Sequence, residues 1–168
     1  MVFTDLLYVP VWLALYQAVK GIGSNAMRLA VACVGLFLAL DLAVTWTAYS
    51  SLLMLGGNYA AATSDTQRAI FVAAAGYSST VLDSPLLAIY AILIPSAGFL
   101  FAAPVMSKTI FGRGTALLGW AVGLSGIAAV AGPYIADALG MMRIVNALLA
   151  TLWFLLVGWR LYRLGRRR

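Results

Sequence analysis

The chain has 168 residues, of which 64% are hydrophobic and 10% charged, with a net charge of +6 and a mean hydropathy of +0.98. Soluble domains run at about half apolar and about a quarter charged, so this balance points to an integral membrane protein. Histidine and glutamate are absent and Cys33 is the single cysteine, which removes an intrachain disulfide, histidine-held zinc or haem, and any nucleophile with a histidine base.

Five apolar stretches follow in chain order, over about residues 3–19, 29–55, 85–106, 115–134 and 144–162. Each approaches the roughly 20 residues that cross a hydrocarbon core of about 30 Å. Short connections carrying Gly, Asn or Ser separate most of them: "GIGSNAM", "SKTIFGRG" and "ADALGMM". The expected fold is all-α, a single transmembrane domain over 1–168. It is an integral membrane helical bundle of five spans plus one short outer helix.

That outer helix comes from the segment between the second and third spans. Ser64-x-x-Gln67 reads as a capping box that starts a helix. Ser84-Pro85 reads as a second start, with proline at the first helical position. The first of these helices covers about 65–80, too short for a span. Counting it as one would also invert the charge pattern. It is therefore expected as a non-spanning helix packed against the bundle. The alternative is one bent helix from Asp65 to Met106, about 60 Å long, which must protrude.

Charge orients the spans. Lys20, Arg28, Lys108, Arg113 and the tail of Arg160, Arg163, Arg166, Arg167 and Arg168 fall on one side. Asp5, Asp65, Arg68, Asp137 and Arg143 fall on the other, nearly balanced. Basic residues gather on the cytoplasmic face. The expectation is a multi-pass protein of the inner (plasma) membrane, N-terminus outside and C-terminus cytoplasmic. A basic cluster beside an apolar span orients the chain or meets anionic lipid; it does not indicate nucleic acid.

The segments "VPVWLALYQAVKGIGSNAMRLA", "LDLA", "LGGNYAAATSDTQRA" and "GFLFAAPVMSKTIFGRGTALLGW" resemble a family of uncharacterised bacterial multi-pass membrane proteins, a domain of unknown function. The resemblance covers most of the chain. It implies membrane topology and, in family members, one further N-terminal span that this chain is expected to lack. It implies no activity and no site residues.

Asp41 is the residue that most needs an account. It sits inside the second span, where a charged carboxylate costs roughly 2.5–3.5 kcal/mol on insertion scales, so it is expected to face other helices or water. Helical spacing adds Thr45 and Tyr49 to form a polar stripe. The plain reading is an interhelical hydrogen-bond anchor, worth about 0.6 kcal/mol. The sharper one is a proton or cation site in a transport path. Asp83 is expected to cap the third span, with a polar vestibule above Tyr90 as its functional reading.

The fourth span carries a strip of small residues, Ala116, Gly119, Gly123 and Gly126, with "GWAVG" matching G-x-x-x-G. Its partner is a helix of this chain or of another subunit. Pro10, Pro95 and Pro104 are expected to kink their helices. Asn146 is expected to bond helix to helix, and Trp12, Trp120, Trp153, Trp159 and Tyr162 to mark interfaces or core. The functional expectation is a non-enzymatic membrane subunit or scaffold acting through helix packing. The alternative is a small transporter or channel using Asp41, with a lipid-modifying enzyme third. No cofactor, metal or catalytic residue is expected. Membrane lipids and other membrane subunits are the expected partners.

Overall fold

The computed structural model describes residues 5–166, the side chains of Ser24, Asp137 and Ala138 excepted. All regular structure among these residues is helical. An apolar chain has few side chains to satisfy its own backbone, and a helix pairs each N–H and C=O within one segment. The helices are α1 (Tyr8–Val19), α2 (Ser24–Leu40), α3 (Trp46–Ala61), α4 (Asp65–Leu82), α5 (Pro85–Ala88), α6 (Ile94–Ser107), α7 (Gly112–Ala131) and α8 (Met142–Gly165). Two π turns, Asp41–Thr45 and Ile89–Leu93, join α2 to α3 and α5 to α6. Two 3₁₀ turns, Gly132–Tyr134 and Asp137–Met141, link α7 to α8.

Four stretches are long and apolar enough to cross a membrane: Asn25–Ala61 with 37 residues, Asp65–Ser107 with 43, Gly112–Tyr134 with 23 and Leu139–Gly165 with 27. The first expected span is represented by α1, which has 12 residues. At about 1.5 Å per residue it measures roughly 18 Å, short of a hydrocarbon core. Residues 3 and 4 of that expected span lie outside the described residues.

α1, α2, α6, α7 and α8 form the bundle, with α6 against both α2 and α7. Its core joins Trp12 and Leu15 of α1, Met27 and Ala30 of α2, Phe99, Ala102 and Met106 of α6, and Trp153 and Val157 of α8. Helices surrounded by acyl chains gain little from apolar burial and associate through close packing. Gly98 provides this between α6 and α2: a Cβ there would lie 3.2 Å from the Ala30 carbonyl oxygen. Two turns at one end of the bundle use left-handed glycines. Gly23 has φ +67° and lies against Val105, while Gly112 has φ +70° and lies under the Arg160 guanidinium. These contacts place Lys20, Arg28, Lys108, Arg113, Arg160, Arg163 and Arg166 at the same end. Arg167 and Arg168 lie outside the described residues.

The opposite end departs from the expected picture. The second helix does not stop near residue 55. It continues through the π turn to Ala61, so Asn25–Ala61 measures about 55 Å against a core of about 30 Å. α3 and α4 run antiparallel as an arm and make their main contacts with each other and with the Asp41–Thr45 turn. The helix expected over 65–80 runs Asp65–Leu82 and packs on this extension of the second helix, rather than on the bundle.

A narrow seam joins the arm's helices. Ala48, Ser51, Leu52 and Leu55 on α3 are less exposed than their neighbours, as are Phe71, Ala75, Ser78 and Val81 on and near the matching face of α4. The Ser78 hydroxyl donates to Ser51 Oγ at 3.1 Å. The helix starts fall where the capping signals place them. Ser64 Oγ accepts from the Gln67 N–H at 3.3 Å. Gln67 Oε1 in turn accepts from the Thr63 N–H at 3.2 Å, one residue earlier than the usual reciprocal bond. Ser84 turns extended at ψ 147° before Pro85 opens α5, so two helices meet there at a break.

Candidate functional site

The arm meets the bundle where both long rods change from α to π geometry. In the first turn the Trp46 N–H reaches back to the Asp41 carbonyl. In the second, the Ile94 N–H reaches the Ile89 carbonyl. Pro95 explains the second: it has no N–H for the Ala91 carbonyl and its ring crowds that oxygen, so the turn before it widens. The first has no proline, and π turns concentrate at functional positions. A hydrogen bond of 2.9 Å between Thr45 Oγ1 and the Tyr90 hydroxyl ties the two turns together.

Asp41 opens the first π turn and is 7% exposed. None of the described hydrogen bonds reaches its carboxylate. It lies close enough to Asp5 for the two carboxylates to repel. Asp5 precedes α1, so Asp41, at the middle of the expected second span, stands level with that end of the bundle. Tyr90 is likewise buried.

Two members of the expected site fall outside it. Tyr49 is 47% exposed. Past the π turn the direction of packing is set by α4, and that seam takes Ala48, one position and about 100° from Tyr49. Asp83 is exposed and ends α4, and the cap of the next helix is Ser84. Asp83 takes part in none of the described ion pairs, and Arg68 sits at the arm's tip, 3.5 Å from Asp65. The expected vestibule above Tyr90 is a cleft of about 480 Å³, and its walls are chiefly apolar, among them Leu40, Val44, Leu86 and Ile94.

The small-residue strip of α7 is occupied inside the chain. A Cβ on Gly119 would lie 3.2 Å from Trp153 Nε1. One on Gly123 would collide with the Leu100 side chain, and one on Gly126 with the Ser96 hydroxyl. Ala116 is buried on the same face. The strip is therefore the seat of α6 and α8. Asn146 makes the expected interhelical bonds, donating from Nδ2 to the Val122 carbonyl at 2.7 Å and to Ser125 Oγ at 3.0 Å. Trp12 and Trp153 stack in the core at 5.4 Å, whereas Trp120, Trp159 and Tyr162 face outward.

One feature was not expected from the sequence. A cavity of about 330 Å³ opens between α1, α2, α6 and α8, lined among others by Ser96, Arg143, Asn146 and Phe154. In the sequence alone, Arg143 counts only toward charge and Asn146 only toward packing. The available signal was a stripe on α8, Arg143, Asn146, Ala147, Ala150 and Thr151, polar or small at helical spacing in an otherwise bulky helix.

These features define an all-α bundle with several apolar helices of membrane length, carrying a two-helix arm. No family model matches the chain, and neither does any curated protein or solved structure.

Proposed function

We propose that the chain is a non-enzymatic subunit of a membrane assembly, with its bundle in the bilayer and its α3–α4 arm engaging another membrane component. The observation that carries this reading is the arm's apolar surface. Leu53, Met54, Ile70, Val72 and Tyr77 each leave more than half of their area open. On the bundle, acyl chains cover such side chains. The arm ends a rod of about 55 Å, longer than the bilayer is thick, so water would face them there at about 25 cal/mol per Å². The α7 strip offers no docking face, because α6 and α8 occupy it. The basic end of the bundle belongs at the cytoplasmic face of the inner (plasma) membrane, which puts the arm and the N-terminus outside.

Transport through Asp41 is the second reading, favoured by a buried carboxylate at a π turn. Packing weighs against it. Between Asp41 and the basic end the core is filled by Trp12, Leu15, Met27, Met106 and Phe111, each at most 1% exposed. That core leaves no polar path.

A photo-crosslinking amino acid placed at Leu53 or Tyr77, and at Leu117 on the lipid face of α7, tests the proposal in native membranes. The arm positions are expected to give a discrete protein adduct, and Leu117 lipid alone. Lipid adducts at all three positions would remove the subunit reading.

A further inference from the structure

The cavity between α1, α2, α6 and α8 is graded from polar to apolar along its length. Its α8 wall runs from Arg143 at the arm end to Phe154, about 16 Å deeper at 1.5 Å per residue. Below Arg143 come Asn146 and, from α6, Ser96. The floor is aromatic: Phe99 and Phe154 meet edge to face at 5.8 Å.

The polar groups in the upper part are not used up. Ser96 is 2% exposed and sets its hydroxyl against Gly126 of α7, which leaves Asn146 as the polar group free to serve the slot. Both bonds of Asn146 come from its nitrogen, so Oδ1 is left as an acceptor. Ala91 and Pro95 line the same wall, and Pro95 cannot serve as the helical donor to the Ala91 carbonyl. Buried polar groups of this kind call for a partner. An amide acceptor a turn beneath a guanidinium matches a hydroxyl-bearing linker suspended from an anion.

The cavity also has an apolar side exit. A second space of about 510 Å³ shares Tyr8, Thr151 and Phe154 with it and is otherwise lined by Leu7, Val11 and Leu155. It lies between α1 and α8, which touch only sparsely, since α8 packs mainly along α7. A chain resting on Phe154 passes from there straight into the surrounding lipid. Across the mouth from Arg143, Asp41 lies one turn beyond Phe37 and Asp5 one turn before Tyr8, both of which line the cavity. That rim is acidic.

We propose that this slot binds one glycerophospholipid chain with its head: phosphate at Arg143, the free hydroxyl of a monoacyl glycerol at Asn146 Oδ1, and the alkyl chain over Phe154 and out between α1 and α8. The acidic rim favours a head that carries an amine beyond the phosphate. The ligand is thus a monoacyl phosphatidylethanolamine, or the same chemistry lent by a bilayer lipid. The inference rests on the bundle lying in a membrane and is independent of what the arm engages.

The test uses the full chain in lipid nanodiscs and spin-labelled monoacyl phosphatidylethanolamine as the probe. One saturable site per chain is expected. Arg143→Gln alters an exposed side chain and is expected to weaken binding about tenfold or more, the loss of a charge-assisted hydrogen bond. Ala150→Phe fills the slot and is expected to abolish binding, while Arg113→Gln at the far end leaves it unchanged. Competition by diacyl phosphatidylethanolamine at equal potency assigns the site to bilayer lipid; failure to compete assigns it to the monoacyl form. Non-saturable uptake, or affinity unchanged in Arg143→Gln, would overturn the proposal, and this holds even if Ala150→Phe does not fold.

Discussion

Thr45 Oγ1 and the Tyr90 hydroxyl lie 2.9 Å apart and join two long rods at the point where each has widened into a π turn. A π turn leaves a helix locally less regular, so a cross-brace there holds the arm's angle to the bundle. The bond is expected to be worth about 0.6 kcal/mol and at most roughly 1.7, the range for such bonds in membrane helices. Thr45→Val, Tyr90→Phe and the double variant form a cycle readable by unfolding in detergent. A coupling energy indistinguishable from zero would show that the two hydroxyls do not act as a pair.

Gly126 faces Ser96 so closely that a Cβ would overlap the serine hydroxyl. Gly126→Ala must push α7 away from α6, and overpacking of this sort costs about 1–3 kcal/mol. Removing the obstruction should restore the fit, so Gly126→Ala with Ser96→Gly is expected to recover much of the lost stability. Thermal unfolding of the single and double variants decides this. If Gly126→Ala unfolds at the temperature of the original chain, the strip is not the close seat described above.

How far the fold was legible follows from how local each signal is. Ser64 with Gln67, and Ser84 with Pro85, mark helix starts because the capping groups lie within a few residues of what they cap. The end of the second helix was hidden. Gly56 and Gly57 follow directly on the expected end at residue 55 and each costs about 1 kcal/mol in a helix, yet α3 runs past both, with α4 packed along it. Neither π turn has a sequence signature, although Pro95 hints at the second. Tyr49 was misplaced by a single position, because its face is set by a neighbour distant in sequence. Ser96 and Asn146 carried no sign of a shared cavity; α6 and α8 had to be brought together first.

Trp153 is fully buried, stacks on Trp12, and its indole N–H has no hydrogen-bond partner among the described residues. Its contribution is therefore the ring and not the donor. Trp153→Phe keeps most of the ring and removes a polar group that is costly to bury alone. It is expected to hold or raise stability, whereas Trp153→Ala should cost about 3–5 kcal/mol through the cavity it leaves. Denaturation of both variants in detergent is the measurement. Equal, severe losses would mean that the indole nitrogen has a partner after all.

The arm and the basic turns lie at opposite ends of the bundle, and that separation dictates opposite chemical access in a sealed membrane. Tyr77 is 77% exposed on α4, and Ile110 is 59% exposed beside the Arg160 guanidinium, which donates to its carbonyl at 3.3 Å. A background of Cys33→Ala removes the native thiol, and single substitutions Tyr77→Cys and Ile110→Cys then report each end. With the basic end at the cytoplasmic face, as proposed, a membrane-impermeant maleimide applied to intact cells is expected to label the arm position alone. After lysis both should react. Labelling of both positions in intact cells would refute the placement of the bundle across the membrane, and labelling of Ile110→Cys alone would reverse its orientation.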